Sequence, residues 1–102
     1  MEKYIKDGQV AILVSPGWGA GWSTWEKKEL AYDKRVVEKF LQDVSEKEMQ
    51  KYLNSIGYKD VYMGGYSQLE IKWLPVGTMY RITENDGWES IEKRADIDWQ
   101  IA

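Results

Sequence analysis

Tyr4-Ile5-Lys6-Asp7-Gly8-Gln9-Val10-Ala11-Ile12-Leu13-Val14 is the stretch on which the fold turns. Asp7-Gly8 stands between two strand-like runs, and an Asp-Gly pair supplies the positive φ angles that a two-residue type I′ turn requires. The chain therefore opens with a β-hairpin. Positions 10 to 14 are apolar without alternation, so the second strand is expected inside a sheet, covered wholly or partly on both faces.

That strand runs into Ser15-Pro16-Gly17-Trp18-Gly19-Ala20-Gly21-Trp22-Ser23-Thr24-Trp25. Three glycines in five residues oppose regular structure, while Ser23 followed by Glu26 has the spacing of a capping box and predicts a short helix. Asp33 is a predicted N-cap, after which Val36, Val37, Phe40, Leu41 and Val44 recur at helical spacing. Ser45 with Glu48 forms a second capping box before the stripe Met49, Tyr52, Leu53 and Ile56, which Gly57 terminates. Two helices thus fall within roughly residues 34 to 56.

The second half changes to period two. A short strand is expected over residues 60–63 and a turn over 64–67, then Leu69, Ile71 and Trp73 alternate with Glu70 and Lys72. Leu74-Pro75-Val76-Gly77 reads as a type I turn with Pro second and Gly fourth. The next strand places Tyr80 and Ile82 on one face and Met79 and Arg81 on the other. Asn85-Asp86-Gly87 closes a further hairpin, residues 88–93 return, and Ile97, Trp99 and Ile101 suggest a last short strand. The expected architecture is one α+β domain over residues 1–102: a mainly antiparallel sheet of about five to six strands, with two central helices packed on it.

Composition narrows the chemistry. With 43% hydrophobic and 30% charged residues the chain is neither disordered in composition nor a membrane protein, and its N-terminus lacks an apolar leader, which predicts cytoplasmic residence. Cysteine and histidine are both absent. That excludes disulfides, Cys/His zinc sites, Cys or Ser-His nucleophiles and the side chain best suited to proton transfer near neutral pH. A non-enzymatic protein without cofactor or metal is expected. A net charge of −3 opposes a dedicated binder of polymeric nucleic acid. Six Trp and seven Tyr exceed the background of about one or two Trp and about three Tyr for this length, and such side chains fill cores or build contact surfaces and stacking platforms.

Three sets of residues are candidates for a site. Backbone amides of the glycine loop form an expected anion cradle through Ser15, Gly17, Gly19, Gly21, Ser23 and Thr24, with Trp18, Trp22 and Trp25 placed to stack a base. The structural alternative is that the glycines carry the chain closely across the sheet while the tryptophans cap the core. Arg81 is either a phosphate or carboxylate clamp or one half of a surface ion pair with Glu70 or Glu89. The acidic ending, Glu84, Asp86, Glu89, Glu92, Asp96 and Asp98 around Trp88, is either a partner-binding face or a solvated hairpin, and it lacks the spacing of a calcium loop. Tyr62, Tyr66 and Tyr80 either line a pocket with the loop or pack across strands.

The segments V-S-P-G-W-G-A-G-W-S-T-W at 14–25 and L-E-I-K-W-L-P-V-G-T-M-Y-R-I-T-E-N-D-G-W-E-S-I-E at 69–92 resemble a family of small accessory proteins of tailed phages and prophages. The likeness covers most of the chain outside the helices and brings no catalytic residues with it. It implies residence in the cytoplasm of an infected bacterium and a role against host antiviral defence. Two modes are consistent with that implication. One is a sponge, expected to be a homo-oligomer, that sequesters a cyclic oligonucleotide or ADP-ribose-type signal. The other is a protein-binding inhibitor of a host defence enzyme, using Glu84, Asp86, Trp88, Glu89 and Glu92. A virion or assembly accessory is a third.

Overall fold

A computed structural model describes residues 2–93 and 100–101. The opening hairpin is present: β1 (Ile5–Lys6) and β2 (Gln9–Val14) pair antiparallel, with Lys6 opposite Gln9. Asp7 and Gly8 carry φ of 52° and 76°, the left-handed pair that a type I′ turn needs. On its other edge β2 pairs with β3 (Glu70–Pro75). The central position explains the unbroken apolar run: Val10 to Val14 are all buried, Ala11 and Leu13 in one cluster and Val10, Ile12 and Val14 in another.

The first cluster takes the helices. Asp33 caps α1 (Lys34–Leu41) by accepting from the Arg35 amide, and Ser45 caps α2 (Glu46–Ser55) by accepting from the Glu48 amide at 3.1 Å. Val36, Val37, Met49 and Leu53 then join Ala11, Leu13 and Trp22. Asp33 is buried, and its carboxylate also accepts from Tyr58 Oη and from the Arg35 guanidinium, each at 2.8 Å. Burial alone would raise its pKa, but the hydrogen bonds from Arg35 and Tyr58, with the Arg35 charge, outweigh it and hold the carboxyl below the ordinary value.

A depressed folded value means that the Asp33 contribution is complete above the unfolded carboxylate range near pH ~4 and fades as pH falls through the folded value. Asp33→Ala is expected to cost about 2 kcal/mol at pH 7, from the lost cap and the lost hydrogen bonds from Tyr58 and Arg35. Urea midpoints of both proteins should converge between pH 5 and pH 2, about the window in which such a carboxylate protonates. A gap that stays constant would contradict this reading of the cap.

The strands divide between two sheets rather than forming one. β4 (Met79–Asn85) and β5 (Trp88–Lys93) make the second hairpin around Asp86-Gly87, and β6 (Gln100–Ile101) pairs with β4 on its far side, giving the order β5-β4-β6. Tyr80, Ile82 and Ile91 pack against the Val10, Ile12 and Val14 face. β2 is thereby clamped between both layers. Three local expectations fail. Residues 60–63 form no strand: the Tyr62 amide donates to the Glu26 carboxylate, while Val61 and Met63 reach the core from an irregular segment. The turn after β3 lies one residue later than read, with Thr78 N–H bonding Pro75 O and Gly77, φ +92°, in the third place. No helix starts at Ser23; the next helical turn is a 3₁₀ segment at Lys28–Ala31. Ile97, Trp99, Asp96 and Asp98 lie outside the described residues.

Candidate functional site

The glycine loop is built around a carboxylate supplied by the protein itself. Glu89, at the start of β5, is 1% exposed. Its Oε1 accepts from the Ser15 amide at 3.0 Å and from Ser15 Oγ at 3.1 Å. Its Oε2 accepts from the Ser23 amide at 3.0 Å, the Thr24 amide at 2.9 Å and Thr24 Oγ1 at 2.7 Å. Ser15 Oγ in turn accepts from the Trp22 amide, and Ser15 O accepts from the Glu89 amide. Ser15, Ser23 and Thr24, expected among the donors to a ligand anion, thus converge on a side chain of the chain itself. This also accounts for the missing helix, because the Ser23 and Thr24 amides turn toward Glu89 while the Glu26 carboxylate takes the Tyr62 amide instead of closing a capping box.

The second hairpin is pressed onto the loop along its whole tip. Gly19 N–H donates to Asp86 O at 2.6 Å and Gly21 N–H to Gly87 O at 2.7 Å. A Cβ on Gly87 would come within 2.7 Å of Ala20 N, and φ there is +87°, so the contact admits only glycine. With Ser15, Gly19, Gly21, Ser23 and Thr24 all bonded within the chain, the loop amides read as ligand donors are largely spent.

The tryptophans separate into two roles. Trp22 is wholly buried, packs against Tyr66 and donates Nε1–H to Leu30 O at 2.9 Å, so it cannot stack a ligand. Trp18 is 64% exposed and meets Trp88 edge to face at 5.1 Å between centroids. Trp25 packs on Tyr62 at 5.5 Å and donates Nε1–H to Glu84 Oε2, which also caps the Gly87 amide. Trp73 on β3 and Trp88 on β5 line one cleft of about 480 Å³, and Trp18, Trp88 and Glu84 border a second of about 230 Å³. Two contacting pairs, Trp18–Trp88 and Trp25–Tyr62, meet at Glu84 beside the hairpin tip, and Trp73 lines the larger cleft with Trp88; these five rings make up the exposed aromatic band.

The acidic face is smaller than its sequence implies. Glu89 faces inward, so it can neither contact a partner nor pair with Arg81; Arg81 lies instead opposite Glu92 at 3.6 Å. Glu84, Asp86, Trp88 and Glu92 remain at the surface or partly so. Ser23, Thr24 and Arg81 do meet, with Lys28, around a recess of about 190 Å³. Tyr66 and Tyr80 pack in the two cores, and Tyr62 belongs to the aromatic band. Sequence reading missed Trp73 as a site residue and Glu89 as the loop's anchor. Trp73 follows from two-period alternation only once β3 is known to be an edge strand. No helix among the described residues is long and apolar enough to cross a membrane. Comparison with protein-family models, with curated proteins and with solved structures returns no match for this chain.

Proposed function

We propose that this protein is a non-enzymatic binding module that grips another protein through its exposed aromatic band. The observation that carries the reading is the division of labour in the loop: Glu89 satisfies its amides from within, while Trp18, Trp25, Trp73 and Trp88 remain 38 to 64% exposed around the hairpin tip and the adjoining cleft. Clustered exposed Trp and Tyr are the side chains that dominate protein contacts, whereas single apolar residues scattered on a surface need no such account. The resemblance to phage accessory proteins makes a host defence protein the partner class, with the chain acting as its inhibitor.

The test is the double variant Trp18→Ala/Trp88→Ala. Both rings are exposed, so stability should change by no more than about 1 kcal/mol. Recovery of a dominant partner from bacterial lysate should fall at least about thirtyfold in affinity, as for two hot-spot residues. Undiminished recovery would remove the aromatic band from the account. Sequestration of a nucleotide-type signal is the second reading, and Lys28, Arg81, Ser23 and Thr24 around their recess favour it. The recess is smaller than the roughly 300 to 1,000 Å³ usual for ligand sites. Calorimetric heat with a cyclic oligonucleotide or ADP-ribose, abolished in Lys28→Ala, would support that reading over the first.

A further inference from the structure

The two sheets leave a gap between one edge of each, and both edges carry backbone groups with no strand beside them. In a two-residue hairpin the residues flanking the turn form a hydrogen-bonded pair, and alternate pairs face outward. Asn85 and Trp88 are that pair, so the β5 members of the pairs Glu84–Glu89, Ile82–Ile91 and Tyr80–Lys93 turn their N–H and C=O away from β4. The Glu89 amide does so visibly, donating to Ser15 O at 3.1 Å. Beyond it, Ile91 and Lys93 have no strand on that edge among the described residues. On β3 the Val76 amide bonds Gly8 O, which makes Val10–Leu74, Ile12–Lys72 and Val14–Glu70 the hydrogen-bonded pairs and leaves Ile71 and Trp73 turned away from β2.

Between these edges lies the cleft of about 480 Å³, with Val14, Leu74 and Ile91 in its lining and Trp73 and Trp88 at its walls. An open edge is a template for strand addition, and alternate side chains of an added strand supply the specificity. We infer that the cleft takes an extended segment of the partner protein as a strand added to β5, continuing the bond that Ser15 O already makes there, with apolar side chains of the segment between Trp73 and Trp88. The inference rests on the protein-binding reading and deepens it. A separate segment suits this place better than a second copy of this chain, because each described strand of a copy is paired on at least one edge and would bring that neighbour with it into the cleft.

The experiment selects binders from a displayed library of random twelve-residue peptides against the intact chain, then repeats binding with the selected peptide N-methylated at alternate amides. Amide hydrogen exchange by NMR is followed at Ile91 and Lys93. The expected result is slowing of both amides by tenfold or more on adding the selected peptide, loss of binding on N-methylation in one of the two registers, and at least tenfold weaker binding to Trp73→Ala. A peptide that shifts the Trp18 and Trp25 indole signals but leaves Ile91 and Lys93 exchange unchanged would overturn strand addition while keeping the aromatic band as a protein site. Concentration-dependent protection of Ile91 without peptide would overturn it in favour of self-association. A library that yields no binder would count against both this inference and the protein-binding reading.

Discussion

Glu89→Ala is expected to lower folding stability by about 4 kcal/mol or more at neutral pH, a large fraction of the roughly 5 to 15 kcal/mol that holds a domain of this size. The reason is the number of donors that converge on one carboxylate. Three amides and two hydroxyls lose their acceptor together, and Ser15 and Ser23 are buried where water does not replace it. Each buried orphan costs about 1 to 3 kcal/mol. Among the described residues Glu89 has no salt-bridge partner, so its charge rests on these five bonds alone. Glu89→Gln tests the same point in a chain that keeps the side-chain shape: its amide nitrogen must face donors at one of the two oxygen positions, at a cost of about 3 kcal/mol. Urea unfolding followed by far-ultraviolet circular dichroism measures both. A loss below about 1 kcal/mol for the alanine variant would mean that the loop amides are satisfied in some other way.

Trp22→Ala should cost about 3 to 5 kcal/mol, the range for removing a buried large aromatic. Trp22 is the largest wholly buried side chain among the described residues, it lies in the cluster that joins β2 to both helices, and its indole nitrogen holds the 3₁₀ turn through Leu30 O. Truncation empties the centre of that cluster and orphans a buried carbonyl. Trp18→Ala, three positions after Ser15, is expected to leave stability within about 1 kcal/mol because its ring is mostly exposed. The contrast between two tryptophans of one loop, read from the same urea titration, separates core from contact surface. Equal losses would place both in the core.

Much of the frame was legible because it depends on local rules. The Asp7-Gly8 and Asp86-Gly87 turns, the Asp33 and Ser45 caps and the helical stripes each need only a few neighbouring residues to be recognised. The failures have a common physical origin in distant side chains competing for local groups. Ser23 and Glu26 have capping-box spacing, but Glu89, sixty-six residues from Ser23, takes the Ser23 amide, and Tyr62 takes Glu26. Residues 60–63 alternate as a strand would, yet the Glu26 carboxylate takes the Tyr62 amide while Val61 and Met63 turn to the core. The division into two sheets is likewise invisible to periodicity, because β3 and β5 read alike whether they pair with each other or stand apart. At the site, the amides of Ser15, Ser23 and Thr24, read as donors to a ligand anion, bind Glu89, and those of Gly19 and Gly21 bond the second hairpin; the acid looked like part of a surface face because five neighbouring carboxylates suggested solvent.

Amide hydrogen exchange at Ser15, Ser23 and Thr24 in the free protein is the most direct test of the claim that Glu89 fills the loop and leaves only its aromatic rims for a partner. The account predicts that these three amides exchange as slowly as those of Ile12 and Val14 in β2, through global unfolding, and that Glu89→Gln speeds them selectively. Rapid exchange of the three in the intact protein would contradict it, since the cradle would then stand open to an outside anion.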